Sequence, residues 1–144
     1  MKKTMTSIIG MLLCFVFLGC EGELTVQDAR AVPREVSAGD PITLYVIVQG
    51  PTRKIASVSG SLREDPSMRF RFNNDGSQGD KVASDNIWTH QSNAPGDAPV
   101  GTYHLDIVVR DSDGHVITSE GNETETRTAK KSGTSGTIEV QVRS

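Results

Sequence analysis

The amino-acid sequence predicts an all-β fold, an antiparallel sandwich of about seven or eight strands, on three observations. After Cys20 the apolar residues recur with a period of two and nowhere sustain the 3.6-residue period of a helix. The alternating runs are short and separated by Gly, Pro, Asn and Asp at roughly 8–12-residue intervals. With 14 Gly and 6 Pro against an aromatic share of 5%, the chain is rich in turns and poor in bulky core residues.

The elements follow in order. Residues 20–23 form a short linker, and the first strand begins with Leu24 and Val26 alternating. Residues 37–41 (Ser-Ala-Gly-Asp-Pro) make a turn. Residues 42–49 are nearly all apolar and rich in β-branched side chains, as expected of a central strand buried on one face and partly covered on the other. Ala56, Val58, Gly60 and Leu62 alternate with serines, and Met68, Phe70 and Phe72 alternate with Arg69 and Arg71, so each run has one wet face. A polar loop spans 73–86, a short strand 87–91 and a Pro/Gly turn 93–101. Tyr103, Leu105, Ile107 and Val109 share a face, with His104, Asp106 and Arg110 on the other. A hairpin turn at 111–114 leads to a return strand at 115–118. Residues 119–136 hold almost no apolar side chain and are expected to be a long mobile loop, and Ile138, Val140 and Val142 mark the last strand.

This spacing fits an Ig-like or fibronectin-like sandwich, assigned to 24–144 as one domain; a barrel is the remaining alternative. No Cys…Trp…Cys pattern exists, so the sandwich is expected to carry no disulfide. The net charge of -3 with 23% charged residues gives no basic field for nucleic acid.

The first residues read differently from the rest. Lys2 and Lys3 precede an apolar run over 8–18, too short to span a bilayer and of the length of a secretory core. The run ends in Phe17-Leu18-Gly19-Cys20, which resembles the lipobox of bacterial lipoproteins, with Phe17 in place of the usual Leu. The resemblance implies a signal peptide over 1–19, cleavage before Cys20, and acylation of Cys20 to anchor the chain in a bilayer. Removal of nineteen of the 144 residues would leave 125, with 13 basic side chains against 18 acidic ones, a balance of -5. Neither Cys14 nor Cys20 would then be free for redox or metal chemistry. Glu21, not Asp, follows the cysteine, which within that family points to the outer rather than the inner membrane of the bacterial envelope.

One loop carries chemistry. Residues 73–88 offer side-chain oxygens from Asn74, Asp75, Asp80 and Asp85, with Gly76 and Gly79 supplying turn freedom. Hard oxygens on a flexible loop suit Ca²⁺, so these four are the candidate metal residues. The alternative is a solvated connection in which Asp and Asn make Asx-turns. The segment resembles a motif of bacterial extracellular Ig-like domains, matched at Asp75, Gly76, Gly79, Asp80, Ala83, Asp85 and Thr89, and then at Gly101, Tyr103, Asp111 and Gly114. Asn74, Ser84 and Asn86 depart from it.

The remaining candidates point away from catalysis. No Gly-x-Ser-x-Gly, His-Glu-x-x-His or phosphate loop occurs. His90, His104 and His115 do not pair at a metal-ligand spacing, and His104 with Asp106 reads as a solvated strand face. Asp111 and Asp113 read as turn residues, and the Asn122-Glu123-Thr124 sequon carries no meaning in a bacterial chain. Trp88 is expected to fill the core with Ile87 facing out; as an outward ring it would be a ligand-binding platform. The expected role is a non-catalytic binding or scaffolding module of the envelope, with a protein partner. The alternatives are a carbohydrate- or cell-wall-binding module, or an accessory subunit or inhibitor of an envelope enzyme.

Overall fold

The computed structural model describes residues 24–117 and 134–144. The expected signal peptide, Cys20, the expected 20–23 linker, the sequon at 122 and most of the expected 119–136 loop lie outside the described residues.

Two sheets pack face to face. The first holds β1 (Thr25–Val32), β3 (Pro41–Gln49) and β6 (Ile87–Asn93), in the order β1-β3-β6. The second holds β2 (Glu35–Ser37), β9 (Gly136–Arg143), β7 (Gly101–Asp111), β4 (Ile55–Leu62) and β5 (Arg69–Arg71), in the order β2-β9-β7-β4-β5, with β8 (Val116–Ile117) also on β7. This is the Ig-like arrangement, without a disulfide. Tyr103 adds a further mark of that fold: near the start of β7, its hydroxyl donates back to the Pro99 carbonyl at 2.8 Å.

The alternation read in the sequence builds the core. Ile42, Leu44, Val46 and Val48 of β3 meet Leu105, Ile107 and Val109 of β7 and Ile138, Val140 and Val142 of β9. Phe72 is the one aromatic ring buried among them; Phe70, Trp88 and Tyr103 pack at the margin. Each such side chain contributes about 1.5–3 kcal/mol relative to exposure.

Four details correct the sequence reading. The strands are not all antiparallel: Pro33, which has no N–H to give, interrupts the first strand, and the chain then pairs in parallel with β9 through the short β2, which the sequence reading missed. Ala56, expected inside, is exposed, because a bulge between Ile55 and Ser57 shifts the period by one residue. The strand at 87 runs on to Asn93. The expected 119–136 loop also reaches too far, since Ser135 is only 1% exposed. Its N–H donates to the Ile107 carbonyl at 2.6 Å and its hydroxyl accepts the Val109 N–H at 2.8 Å. β8 and β9 lie on the same side of β7.

Candidate binding cleft

β5 and β6 are the edge strands on one side of the sandwich, joined midway by the contact of Phe70 with His90. A cleft of about 480 Å³ opens between them, within the range of small-ligand sites. Its lining includes Ile42, Leu44, Leu62, Phe70, Leu105 and Val140, and two small residues, Ala94 and Ala98. It lies at the end where β3 and β7 begin and where β4, β6 and β9 finish. The charged side chains along it are Glu64, Asp65 and Asp97, all acidic.

The outer face of the second sheet holds the wall of this cleft. Arg63 places a guanidinium nitrogen 3.1 Å from Asp106 and a second one at 2.5 Å, and Thr137 donates to the same carboxylate at 3.2 Å. The Arg63 hydrogen bond holds the Asp106 carboxyl below the usual range, against the opposing effect of burial. Glu64 accepts the His104 N–H at 3.0 Å and lies 2.8 Å from its Nδ1. Burial raises the Glu64 pKa, but the His104 backbone and ring hydrogen bonds outweigh it and leave it lowered. His104 and Asp106, read from the sequence as merely solvated, thus fasten the 63–68 turn to β7. The partners sit about forty residues away, which spacing along one strand does not reveal.

The 73–86 loop folds over the outer face of β6. Asn73 forms an antiparallel bridge with Thr89, and Gly79, at φ +88°, approaches so closely that a Cβ there would lie 3.2 Å from Gln91 Cβ and 3.4 Å from Thr89 Cγ2. Thr89 is therefore 1% exposed although it points away from the sandwich core. Each of the four candidate metal residues is engaged within the loop. Asn74 Oδ1 accepts the Asp85 N–H at 3.2 Å and Asn74 Nδ2 donates to the Asp85 carbonyl at 2.6 Å. Asp80, 7% exposed, accepts the Gly76 N–H at 2.7 Å and the Val82 N–H at 3.3 Å. Asp85 accepts the Ile87 N–H at 2.7 Å. Asp75 accepts from the Ser77 hydroxyl and N–H, and these bonds hold its carboxyl below the usual range.

A different group gathers ligand atoms. Among the described residues, Asp111, Asp113 and His115 have donor atoms within 4.8 Å of one another, and these three could hold a metal ion. They form the hairpin turn after β7, at the opposite end from the cleft. Asp111 Oδ1 accepts the Asp113 N–H at 2.9 Å and the His115 N–H at 2.8 Å, so the turn chemistry read from the sequence is present as well. An Asp-x-Asp-x-His spacing over a tight turn was the available signal for the gathering.

Trp88 stands opposite Val46, on the inner face, and packs at the margin of the core with its indole Nε1 buried and without a hydrogen-bond partner among the described residues. Ile87 is 38% exposed. His90 lies on the same inner face, its ring 5.4 Å from that of Phe70 in an edge-on contact and its Nδ1 2.8 Å from the Arg71 carbonyl. No protein-family description matches the chain, and no curated protein sequence matches it.

Proposed function

We propose that this chain is a non-catalytic binding module of the bacterial envelope, tethered to a bilayer through acylated Cys20 and binding through the cleft between its sheets. The cleft carries this reading: an apolar floor with a polar rim is what a ligand site needs, and His104 with Glu64 and His115 with Asp111 are engaged in strand and turn contacts. A tether at Cys20 would enter the fold at the end away from the cleft. Cys20 precedes Leu24 by four positions, and Thr25 pairs with Gln49 at the far end of β3. The cleft begins at Ile42 and Leu44, the near end of that strand. Seven residues of strand put roughly 23 Å between Gln49 and Ile42, so a short tether at Cys20 leaves the cleft pointing away from the bilayer.

Calcium enters this reading as a structural ion only. Its hard-oxygen preference suits Asp111 and Asp113, or the four residues of the 73–86 loop, better than it suits the nitrogen of His115.

Titration of the full chain with a neutral naphthylamine fluorophore tests the cleft. Saturable enhancement is expected, and it should be lost in Ala98→Trp, whose indole occupies the cleft while the far-UV spectrum stays that of a β protein. A wild-type chain that gives no saturable signal would overturn the reading.

A further inference from the structure

The backbone along the cleft names the class of ligand, an inference that rests on the binding reading above. In β6 the residues that pair with β3 alternate with residues whose N–H and C=O turn outward. In the first half the outward N–H groups and the Thr89 carbonyl are used. The Ile87 N–H donates to Asp85, and Thr89 exchanges both hydrogen bonds with Asn73, at 2.8 and 2.9 Å. That ladder then stops after a single bridge. The chain at Arg71 has crossed to β5 and pairs with Ser59 of β4 instead. By the same two-residue period Gln91 turns its N–H and C=O outward, and among the described residues neither has a partner. This open stretch of edge borders the cleft, whose lining includes Ser92, Asn93 and Ala94.

An unpaired strand edge beside an apolar trough is a template for a further strand. A residue placed opposite Ser92 would direct its side chain to the inner face, the face of Ile42 and Leu44. The charged groups along the cleft are three carboxylates with no basic side chain among them. We propose that the cleft receives an extended peptide segment of a partner protein, apolar at alternate positions and flanked by Lys or Arg, which adds as a short strand to the Gln91 edge of β6. A small amphiphile would use the same floor and acidic rim but would leave the edge groups idle, which separates the two.

The test uses fluorescence polarisation with the full chain and a labelled synthetic peptide, Lys-Thr-Val-Thr-Val-Thr-Lys. Binding is expected, with about ten-fold loss when alternate backbone nitrogens are methylated and about ten-fold loss when both lysines become glutamates at low salt. Gln91→Pro removes the outward N–H that the fold itself does not use, a substitution edge strands tolerate, and should cost a similar factor without moving the melting midpoint. Equal binding of the methylated peptide overturns strand addition. Uptake of the naphthylamine fluorophore without any peptide binding overturns this inference and leaves the cleft reading standing; absence of both removes the two together. A concentration-dependent dimer abolished by Gln91→Pro would overturn it in favour of a second copy of this chain on the edge.

Discussion

Asp80→Ala separates the two readings of the 73–86 loop. Asp80 is nearly buried and accepts the Gly76 N–H at 2.7 Å and, less well, the Val82 N–H at 3.3 Å. Alanine removes a good charge-assisted hydrogen bond, worth about 1.5–3 kcal/mol, and leaves the Gly76 N–H without its acceptor. The longer contact adds little. We expect a loss of about 2 kcal/mol, which for a domain near 100 residues lowers the melting midpoint by about 10 °C. Asp80→Asn keeps one acceptor oxygen and should lose about half as much. The assay is thermal unfolding followed by circular dichroism, once in chelator and once in millimolar Ca²⁺. If hydrogen bonding alone holds the loop, the loss of each variant is the same with chelator as with Ca²⁺, because nothing binds the folded state selectively. If the loop holds Ca²⁺, the wild-type midpoint rises with the ion and the rise disappears in Asp80→Asn. An Asp80→Ala midpoint within about 2 °C of wild type in both buffers would refute the claim that this carboxylate organises the loop.

Three further outcomes are expected. Asp106 has a folded pKa held below its ordinary value, so its contribution is present above the unfolded pKa of about 3.9 and is lost as pH falls through the lower folded value; Glu64 adds in the same sense. Asp106→Asn should therefore lower the urea midpoint at neutral pH and flatten its decline below about pH 4, and an acid limb as steep as wild type would sink the argument. Trp88→Phe deletes a buried N–H that has no partner, which offsets the lost ring area, so the urea midpoint should correspond to a change within about 1 kcal/mol; a loss above about 3 kcal/mol would mean that the indole nitrogen is satisfied after all. In cells fed an alkyne palmitate, the chain should carry label that Cys20→Ala abolishes; label persisting in the variant would refute acylation at that position.

The fold was largely legible because its signal is local. An apolar, β-branched run over 42–49 and period-two alternation over 103–109 and 138–142 need no knowledge of partners, and those runs became β3, β7 and β9 with the expected faces buried. What failed was non-local or broke the period. β2 has three residues and only Val36 buried, too short for any pattern, and it exists because β9 offers an edge. The bulge at Ile55 exposes Ala56 by inserting a residue that no composition rule marks. Ser135 looked like part of a polar loop and is buried because its hydroxyl stands in for a missing strand carbonyl. The site was far less legible. Asn74, Asp75, Asp80 and Asp85 drew attention as oxygen donors, whereas the cleft is lined by residues from both sheets that are far apart in the chain. The Arg63–Asp106 and Glu64–His104 pairs were invisible for the same reason.

The lean composition bears directly on whether that cleft is a site or a defect. A core built on Val, Ile and Leu with one buried ring among the described residues fills the middle of the sandwich, while small side chains, Ala94 and Ala98, stand along the cleft at its end. Open apolar floor costs stability, roughly 25 cal/mol per Å² left in water. A defect kept by chance would be improved by filling and nothing would be lost. A site kept for binding would be improved in stability and ruined in function. Ala98→Trp reads both at once. Covering about 60 Å² of floor should raise stability by about 1.5 kcal/mol and the melting midpoint by several degrees. The same substitution should abolish fluorophore uptake and peptide binding. A midpoint that falls would show that the cleft has no room for the ring, and unchanged uptake in a stabilised variant would show that the ligand enters elsewhere.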